Sequence, residues 1–108
     1  MNAGDELRVD LTRGTEDGEI TVRVSVRGSL AGEEAAKQLR QAVAGTEGRM
    51  TIDLSGCDEL NSHGTSALAE IATLRRPDPL RLTGAREHVR RELLLAGVRQ
   101  SELFVLED

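Results

Sequence analysis

Hydrophobic and polar residues alternate in two stretches near the start of the chain. The first covers residues 7–12, and the second covers residues 20–27, where every other position is aliphatic (Ile20, Val22, Val24 and Val26). A period of two is typical of strands that bury only one face. A turn-forming stretch, residues 14–18, separates the two runs and begins and ends with glycine. The pattern therefore predicts a β-hairpin with one polar face.

Further along the chain, a helical spacing of apolar residues replaces the alternation in three stretches. It predicts helices over residues 33–44, from the region of residue 62 to about residue 76, and over residues 85–96. Gly45 and Gly97 fit the ends of the first and third helices, and two prolines, Pro77 and Pro79, end the second. The predicted core faces are, in chain order, Ala35, Leu39 and Val43, with Ala36 beside them; Ala67, Leu68, Ile71 and Leu74; and Val89, Leu93 and Ala96.

Three more strands are predicted between and after these helices, over residues 50–55, 80–83 and 103–106, with residues 56–60 as a loop. The order β-β-α-β-α-β-α-β requires helical crossovers between the later strands. We therefore predict an α/β fold, a mixed β-sheet of four to five strands packed against three or more helices. With 108 residues, the chain is expected to form a single domain over residues 1–108.

Composition narrows the classes of partner. Hydrophobic residues make up 38% of the chain and charged residues 31%, as in a soluble globular protein, and the net charge is −5. Such a charge repels nucleic acid and anionic lipid. Phe104 is the one aromatic residue, so a base-stacking surface is not expected either. The expected partners are proteins or small molecules, with no nucleic acid and no insertion into a membrane.

The compartment expected from the sequence is the cytoplasm. The first twenty residues are rich in charge and contain no apolar segment of a signal peptide, and no stretch approaches the roughly 18 apolar residues of a membrane-spanning helix. The single cysteine, Cys57, gives no intramolecular disulfide. Acidic residues follow Cys57 and are expected to raise its thiol pKa, so it is not predicted to be a reactive nucleophile.

Motifs for catalysis, metals and cofactors are absent from the sequence. Ser62 and His63 are adjacent, which is poor geometry for a nucleophile and its base, and no Gly-x-Ser-x-Gly is present. His63, His88, Cys57 and Asp58 lack recognisable metal-ligand spacing. No P-loop or dinucleotide-binding motif occurs. We therefore expect no catalytic site, no metal and no cofactor.

Ser62 allows two interpretations. Serine is a common helix N-cap, and the physical argument alone favours that structural role. Alternatively, a hydroxyl at a helix start is a favourable place for a phosphate, because backbone amides and the helix dipole stabilise its negative charge. Such a group would act as an electrostatic switch at a binding surface.

Three segments of the chain resemble the STAS family, whose founding members are anti-sigma factor antagonists. Residues 51–57 (Thr-Ile-Asp-Leu-Ser-Gly-Cys) are similar to the family's vDLSgv strand and loop, and residues 61–64 (Asn-Ser-His-Gly) stand in the place of its Asp-Ser-Ser/Thr-Gly. Residues 89–98, with Leu103 and Phe104, look like its third helix and the segment that follows, vrrvLelaGl…lF. The likeness covers about residues 7–106 and implies a β-sheet with helices packed against it.

The resemblance implies a bacterial regulator of transcription that is not an enzyme. Its partner would be an anti-sigma factor that is also a serine/threonine kinase, and Ser62 would be the phosphorylated residue. The partner-binding residues would be Asn61, Ser62, His63, Gly64 and Thr65. Phosphorylation would abolish binding, because it places a dianion in a packed interface without a matching cation. Asp53, in the first motif, would have a polar structural role near the loop.

The chain departs from the family pattern at Asn61, where aspartate is usual, and at His63, where serine or threonine is usual. Thr65 is an alternative phosphate acceptor. Three other functions stay open: an accessory STAS subunit of a lipid-transporting ABC assembly that binds its ATPase without phosphorylation, an enzyme or small-ligand sensor built on Ser62 and His63, and an interaction domain in which Ser62 is only a cap.

Overall fold

A computed structural model of the protein describes residues 6–107. The strands are β1 (Arg8–Glu16), β2 (Glu19–Leu30), β3 (Arg49–Leu60), β4 (Leu80–Thr83) and β5 (Phe104–Leu106). The helices are α1 (Glu33–Val43), α2 (Ser62–Leu74) and α3 (Glu87–Leu95), and a short 3-10 helix covers Val98–Gln100. The predicted element order and fold class are confirmed.

The five strands form one sheet in the order β1-β2-β3-β4-β5. β1 and β2 are antiparallel, and every later pair is parallel. The hairpin turn is shorter than predicted, because Glu16 pairs with Glu19 and leaves only Asp17 and Gly18 in the turn. Both have positive φ, 52° and 80°, which is the backbone conformation of a tight type I′ turn.

The helices contribute to one apolar core on one face of the sheet. Alternate residues of the strands are buried there, including Val24, Ile52 and Leu82, and Leu39, Leu68 and Val89 join the same cluster from the three helices. The opposite face carries polar side chains such as Arg23, Thr51 and Arg81, which border an open depression of about 360 Å³. The parallel part of the sheet is therefore covered on one side only, as the polar alternation in its strands requires.

The prediction of a loop over residues 56–60 is wrong, because β3 continues to Leu60. Two register shifts relative to β2 each insert one extra residue into β3. The first lies between Asp53 and Gly56, which pair with Ser25 and Arg27 of β2. The second lies between Cys57 and Glu59, which pair with the adjacent residues Gly28 and Ser29. These β-bulges break the alternation of buried and exposed residues while the pairing with β2 continues. A search for a regular period of two could therefore not detect the second half of this strand.

The predicted core faces of the helices need two corrections. Leu74 is 84% exposed, since α2 ends at this residue and its last turn is not covered, and Ala96 is exposed because it is the residue that caps α3. Gly97 has a φ of 82°, which confirms its predicted left-handed role after α3. In the described part of the chain, no helix is long and apolar enough to cross a membrane.

Candidate functional site

The residues predicted to bind a partner lie at the start of α2, where β3 ends. Asn61, not Ser62, caps the helix: its backbone is extended, and its Oδ1 accepts hydrogen bonds from the amides of His63 (3.0 Å) and Gly64 (3.4 Å). The interpretation of Ser62 as the N-cap is therefore wrong. Ser62 is the first residue of the helix, and both residue types are good caps, so the sequence alone did not decide between them.

The cap also connects α2 to the neighbouring helix. Asn61 Oδ1 accepts a third hydrogen bond, of 3.3 Å, from the amide of Gly32, which is the N-cap residue of α1. Gly32 has no side chain and donates through its backbone, so no sequence motif indicated this contact. The starts of α1 and α2 therefore lie side by side at the carboxyl ends of β2 and β3.

Gly64 is required by close packing against β2. A Cβ atom at this position would lie 2.2 Å from the carbonyl oxygen of Leu30 and 2.6 Å from Cδ1 of Leu60. The first of these atoms belongs to the backbone of a central strand and cannot move without disturbing the sheet. Gly64 is buried, and its lack of a side chain allows α2 to lie close to the end of β2.

Ser62 and His63 are the exposed members of the predicted site, whereas Thr65 is half-buried. The Thr65 hydroxyl donates a hydrogen bond of 3.1 Å to the backbone carbonyl of Ser62. Among the described residues, no hydrogen bond joins the Ser62 hydroxyl to His63 or to a carboxylate. The first turn of α2 therefore presents one exposed hydroxyl beside one exposed imidazole.

The amides at this helix start are less available to an anion than the sequence suggested. Asn61 occupies the amides of His63 and Gly64, and the Thr65 amide bonds to the Asn61 carbonyl at 3.0 Å. The Ser62 amide has no acceptor among the described residues. A phosphate on Ser62 would therefore be stabilised mainly by this amide and the helix dipole.

Carboxylates surround this end of the sheet. Glu33 and Glu34 form the first turn of α1, directly after Gly32, and Glu59 precedes the cap at the end of β3, where its Oε1 accepts from Ser29 Oγ at 3.2 Å. Asp58 is different, because its carboxylate pairs with Arg86 at 3.0 Å. A negative group added to Ser62 would therefore increase an already acidic surface.

Asp53 stabilises the first bulge of β3. Its Oδ1 accepts from the amide of Ser55 at 2.9 Å, and its Oδ2 accepts from Arg23 at 3.3 Å. The hydrogen bond from the Ser55 amide, assisted by the charge of Arg23, holds the pKa of Asp53 below its usual value. These contacts give Asp53 a structural role in the strand that leads to the site.

Cys57 is fully buried in β3 and does not lie in a loop. Burial raises its thiol pKa above the ordinary value, and the nearby charge of Asp58 adds a smaller effect in the same direction. The direction agrees with the prediction, but desolvation is the main cause. Within residues 6–107, no group of three or more potential ligands is placed to hold a metal ion.

Comparison with known proteins agrees with this architecture. A family model described as "Mlab, STAS domain" matches residues 12–107. No curated protein matches the sequence. Among solved structures, the chain is similar to an anti-sigma factor antagonist from Mycobacterium paratuberculosis, with 26% identity over 98% of this chain and 89% of that chain, and a TM-score of 0.75.

Two more distant structures share the fold. An antisigma-factor antagonist STAS domain from Rhodobacter sphaeroides has 20% identity over 73% of this chain and 92% of that chain, with a TM-score of 0.53. An uncharacterised protein from Shewanella loihica with a SpoIIAA-like fold has 15% identity over 100% of this chain and 92% of that chain, with a TM-score of 0.60. Five strands with helices on one face thus define an α/β domain of SpoIIAA-like fold. The chain belongs to the STAS domain family.

Proposed function

We propose that this protein is an anti-sigma factor antagonist of a bacterial cell, a cytoplasmic single-domain binding protein without catalytic activity. Its partner would be an anti-sigma factor that is also a serine/threonine kinase, and phosphorylation of Ser62 would release that partner. The observation that carries the proposal is the 26% identity to the solved antagonist from Mycobacterium paratuberculosis over 98% of the chain.

The geometry of the α2 start supports Ser62 as the acceptor in this proposal. A kinase needs a hydroxyl that it can reach, and Ser62 is exposed in the first helical turn. Thr65 is less suitable, because it is half-buried and its hydroxyl already donates to the Ser62 carbonyl. We therefore propose Ser62 as the modified residue and residues 61–65 as the partner-binding segment. Ser62 and His63 are its exposed members, and Gly64 contributes by packing the segment against β2.

The charges at this surface support a large effect of phosphorylation. A phosphate adds a charge of about −2 at neutral pH. Glu33, Glu34 and Glu59 lie at the same end of the sheet, and Arg86 is already paired with Asp58. The added charge would therefore remain largely uncompensated within this chain, and a partner that packs against Ser62 would have to desolvate it.

The test uses the full chain and its Ser62→Ala and Ser62→Asp variants as baits in lysate from the native host, with bound proteins identified by mass spectrometry. The alanine bait should retain a serine kinase or anti-sigma factor, and the aspartate bait should retain about tenfold less of it or none. Both variants should stay folded, because Asn61 provides the cap and an acid in the first turn favours the helix dipole. Unfolding of the aspartate variant would remove the basis for a switch.

Ser66→Asp is the matched control, since Ser66 is exposed one turn further along α2. A switch specific to Ser62 predicts that Ser66→Asp retains more of the partner than Ser62→Asp does. Equal loss in both variants would show a general effect of negative charge and would contradict a switch at Ser62.

A second candidate function is an accessory STAS subunit of a lipid-transporting ABC assembly, which would bind an ATPase through the same surface without phosphorylation. Two observations favour keeping it. The matching family model carries the name Mlab and not that of an antagonist. Among the described residues, three of the first four amides of α2 already have acceptors, so only the Ser62 amide is left to stabilise a phosphate. Equal recovery of a transporter ATPase by the alanine and aspartate baits would establish this candidate and overturn the first.

A further inference from the structure

The far end of α2 contains a groove that the proposed function does not use. A cavity of about 200 Å³ lies between the last turns of α1 and α2 and the turn that follows α1. Val43, Ala44 and Ile71 contribute apolar lining, and Leu74 stands at its edge with 84% of its surface exposed. An apolar cavity of about 150 Å³ is enough to bind benzene, so this volume accommodates one large aliphatic side chain.

Arg75, on the same groove, holds a positive charge that no carboxylate in the described part of the chain neutralises. Its Nη1 donates to the Thr46 carbonyl at 3.2 Å and its Nη2 to the Thr46 hydroxyl at 2.9 Å, so both acceptors are neutral. Its buried Nε has no hydrogen-bond acceptor among the residues that the structure describes. Across residues 6–107, no carboxylate lies within ion-pair distance of this guanidinium. Desolvation lowers the pKa of Arg75 below its ordinary value, as expected for a cation without charge compensation.

Arg40, the other arginine of the groove, has its charge neutralised by an ion pair. Arg40 Nε lies 3.4 Å from the Glu70 carboxylate, and the two side chains are 37% and 60% exposed. One side of the groove therefore carries a neutralised pair, and the other carries a partly desolvated, unneutralised cation beside an exposed leucine. This asymmetry indicates a ligand that supplies an apolar group and a negative charge close together.

We propose that the groove between the ends of α1 and α2 binds a peptide segment of a protein partner that carries a large aliphatic side chain beside a carboxylate. The aliphatic side chain would occupy the cavity and cover Leu74, and the carboxylate would neutralise Arg75. A charge-assisted hydrogen bond to a guanidinium is among the stronger polar contacts in proteins. The groove lies at the opposite end of a 13-residue helix from Ser62, about 20 Å away along the axis, so this is a second surface that goes beyond the proposed function.

The test is an NMR titration of the full chain with two defined peptides. The acidic probe is acetyl-Leu-Asp-Glu-Leu-amide, and the neutral probe is acetyl-Leu-Asn-Gln-Leu-amide. The acidic probe should shift the methyl resonances of Val43, Ile71 and Leu74 and the Nε–H resonance of Arg75. The neutral probe should bind about tenfold more weakly, since it loses the charge-assisted contact.

Three variants assign the effect to the groove. Arg75→Gln should remove the difference in affinity between the two probes, and Leu74→Ala should weaken both. Arg40→Gln, the matched control, removes an arginine that is already paired and should leave the difference unchanged. If Arg75→Gln fails to fold because its contacts with Thr46 are lost, Arg75→Lys keeps the charge and should retain the preference for the acidic probe.

Several outcomes would overturn the proposal. These are equal binding of the two probes, the absence of shifts at Leu74 with either probe at millimolar concentration, and preference for the acidic probe that persists in Arg75→Gln. Methyl shifts at Leu74 that depend on protein concentration without peptide would identify a second copy of the chain as the occupant instead. None of these results depends on Ser62, so they leave the proposed function to its own test.

Discussion

The two ends of α2 satisfy their polar groups in opposite ways. At the start, one side-chain oxygen of Asn61 accepts from three amides, and Gly64 fits tightly against the end of β2. At the other end, Leu74 is exposed and Arg75 is partly desolvated, with no negative partner among residues 6–107. At the first end, three of the first four amides of α2 have acceptors among the described residues, so binding there can be controlled by adding a charge. The second end is incomplete, so a ligand can complete it.

At the closely packed start of α2, the largest loss of stability is expected from Gly64→Ala. The new Cβ would lie 2.2 Å from a backbone oxygen of β2, so either the strand or the helix must shift. We expect the free energy of unfolding to fall by about 3 kcal/mol, at the upper end of ordinary overpacking. Urea unfolding followed by circular dichroism measures this change.

Gly14→Ala is the matched control for that substitution. Its Cβ would meet only the Thr21 hydroxyl, at an ordinary contact distance of 3.4 Å. Because glycine weakens a strand, this variant should be as stable as the parent or more stable by about 0.5 kcal/mol. Comparable loss of stability in both variants would refute the idea that close packing fixes Gly64.

A smaller loss of stability is expected from Asn61→Ala, which removes the acceptor of three hydrogen bonds. The expected cost is about 1–2 kcal/mol, typical of a lost N-cap. Asn61→Asp keeps an accepting oxygen at the same position, so its free energy of unfolding should lie within about 0.5 kcal/mol of that of the parent. If thermal unfolding shows equal losses for alanine and aspartate, the side-chain oxygen is not the stabilising group.

The smallest effect is expected at the incomplete end. Leu74→Ala should change the free energy of unfolding by less than about 0.5 kcal/mol, because this side chain is 84% exposed. Ile71→Ala, one turn earlier and 3% exposed, should cost about 2–5 kcal/mol in the same urea experiment. A large loss from Leu74→Ala would mean that this leucine stabilises the fold and is not held for a ligand.

The sequence was sufficient for the features that depend on regular spacing and on strong local preferences. Alternation located β2, and the bounds of β4 were predicted as the structure has them, at Leu80–Thr83. Gly97 was predicted at a left-handed position because few other residues tolerate one. Each of these features is determined by residues that are neighbours in the chain.

The features that the sequence could not predict depend on contacts between distant residues. The second half of β3 stays in the sheet through bulges opposite β2, so its residues follow no simple period. The choice of Asn61 over Ser62 as the cap depends on where β3 ends and on the amide of Gly32. The groove at Arg75 exists only because the turn after α1 reaches the end of α2, and no local pattern signals that approach.

Asn61 Oδ1 accepts from amides of both helix starts, so the Gly32 amide reports whether the start of α2 is intact. Its hydrogen is protected by a residue 29 positions later in the chain and exchanges with solvent only when that contact opens. Loosening of the α2 start, by modification or by a partner, would speed isotope exchange at Gly32, which lies in a different helix start. The chain therefore contains an internal probe of its proposed switch, one that needs no label at the switch itself.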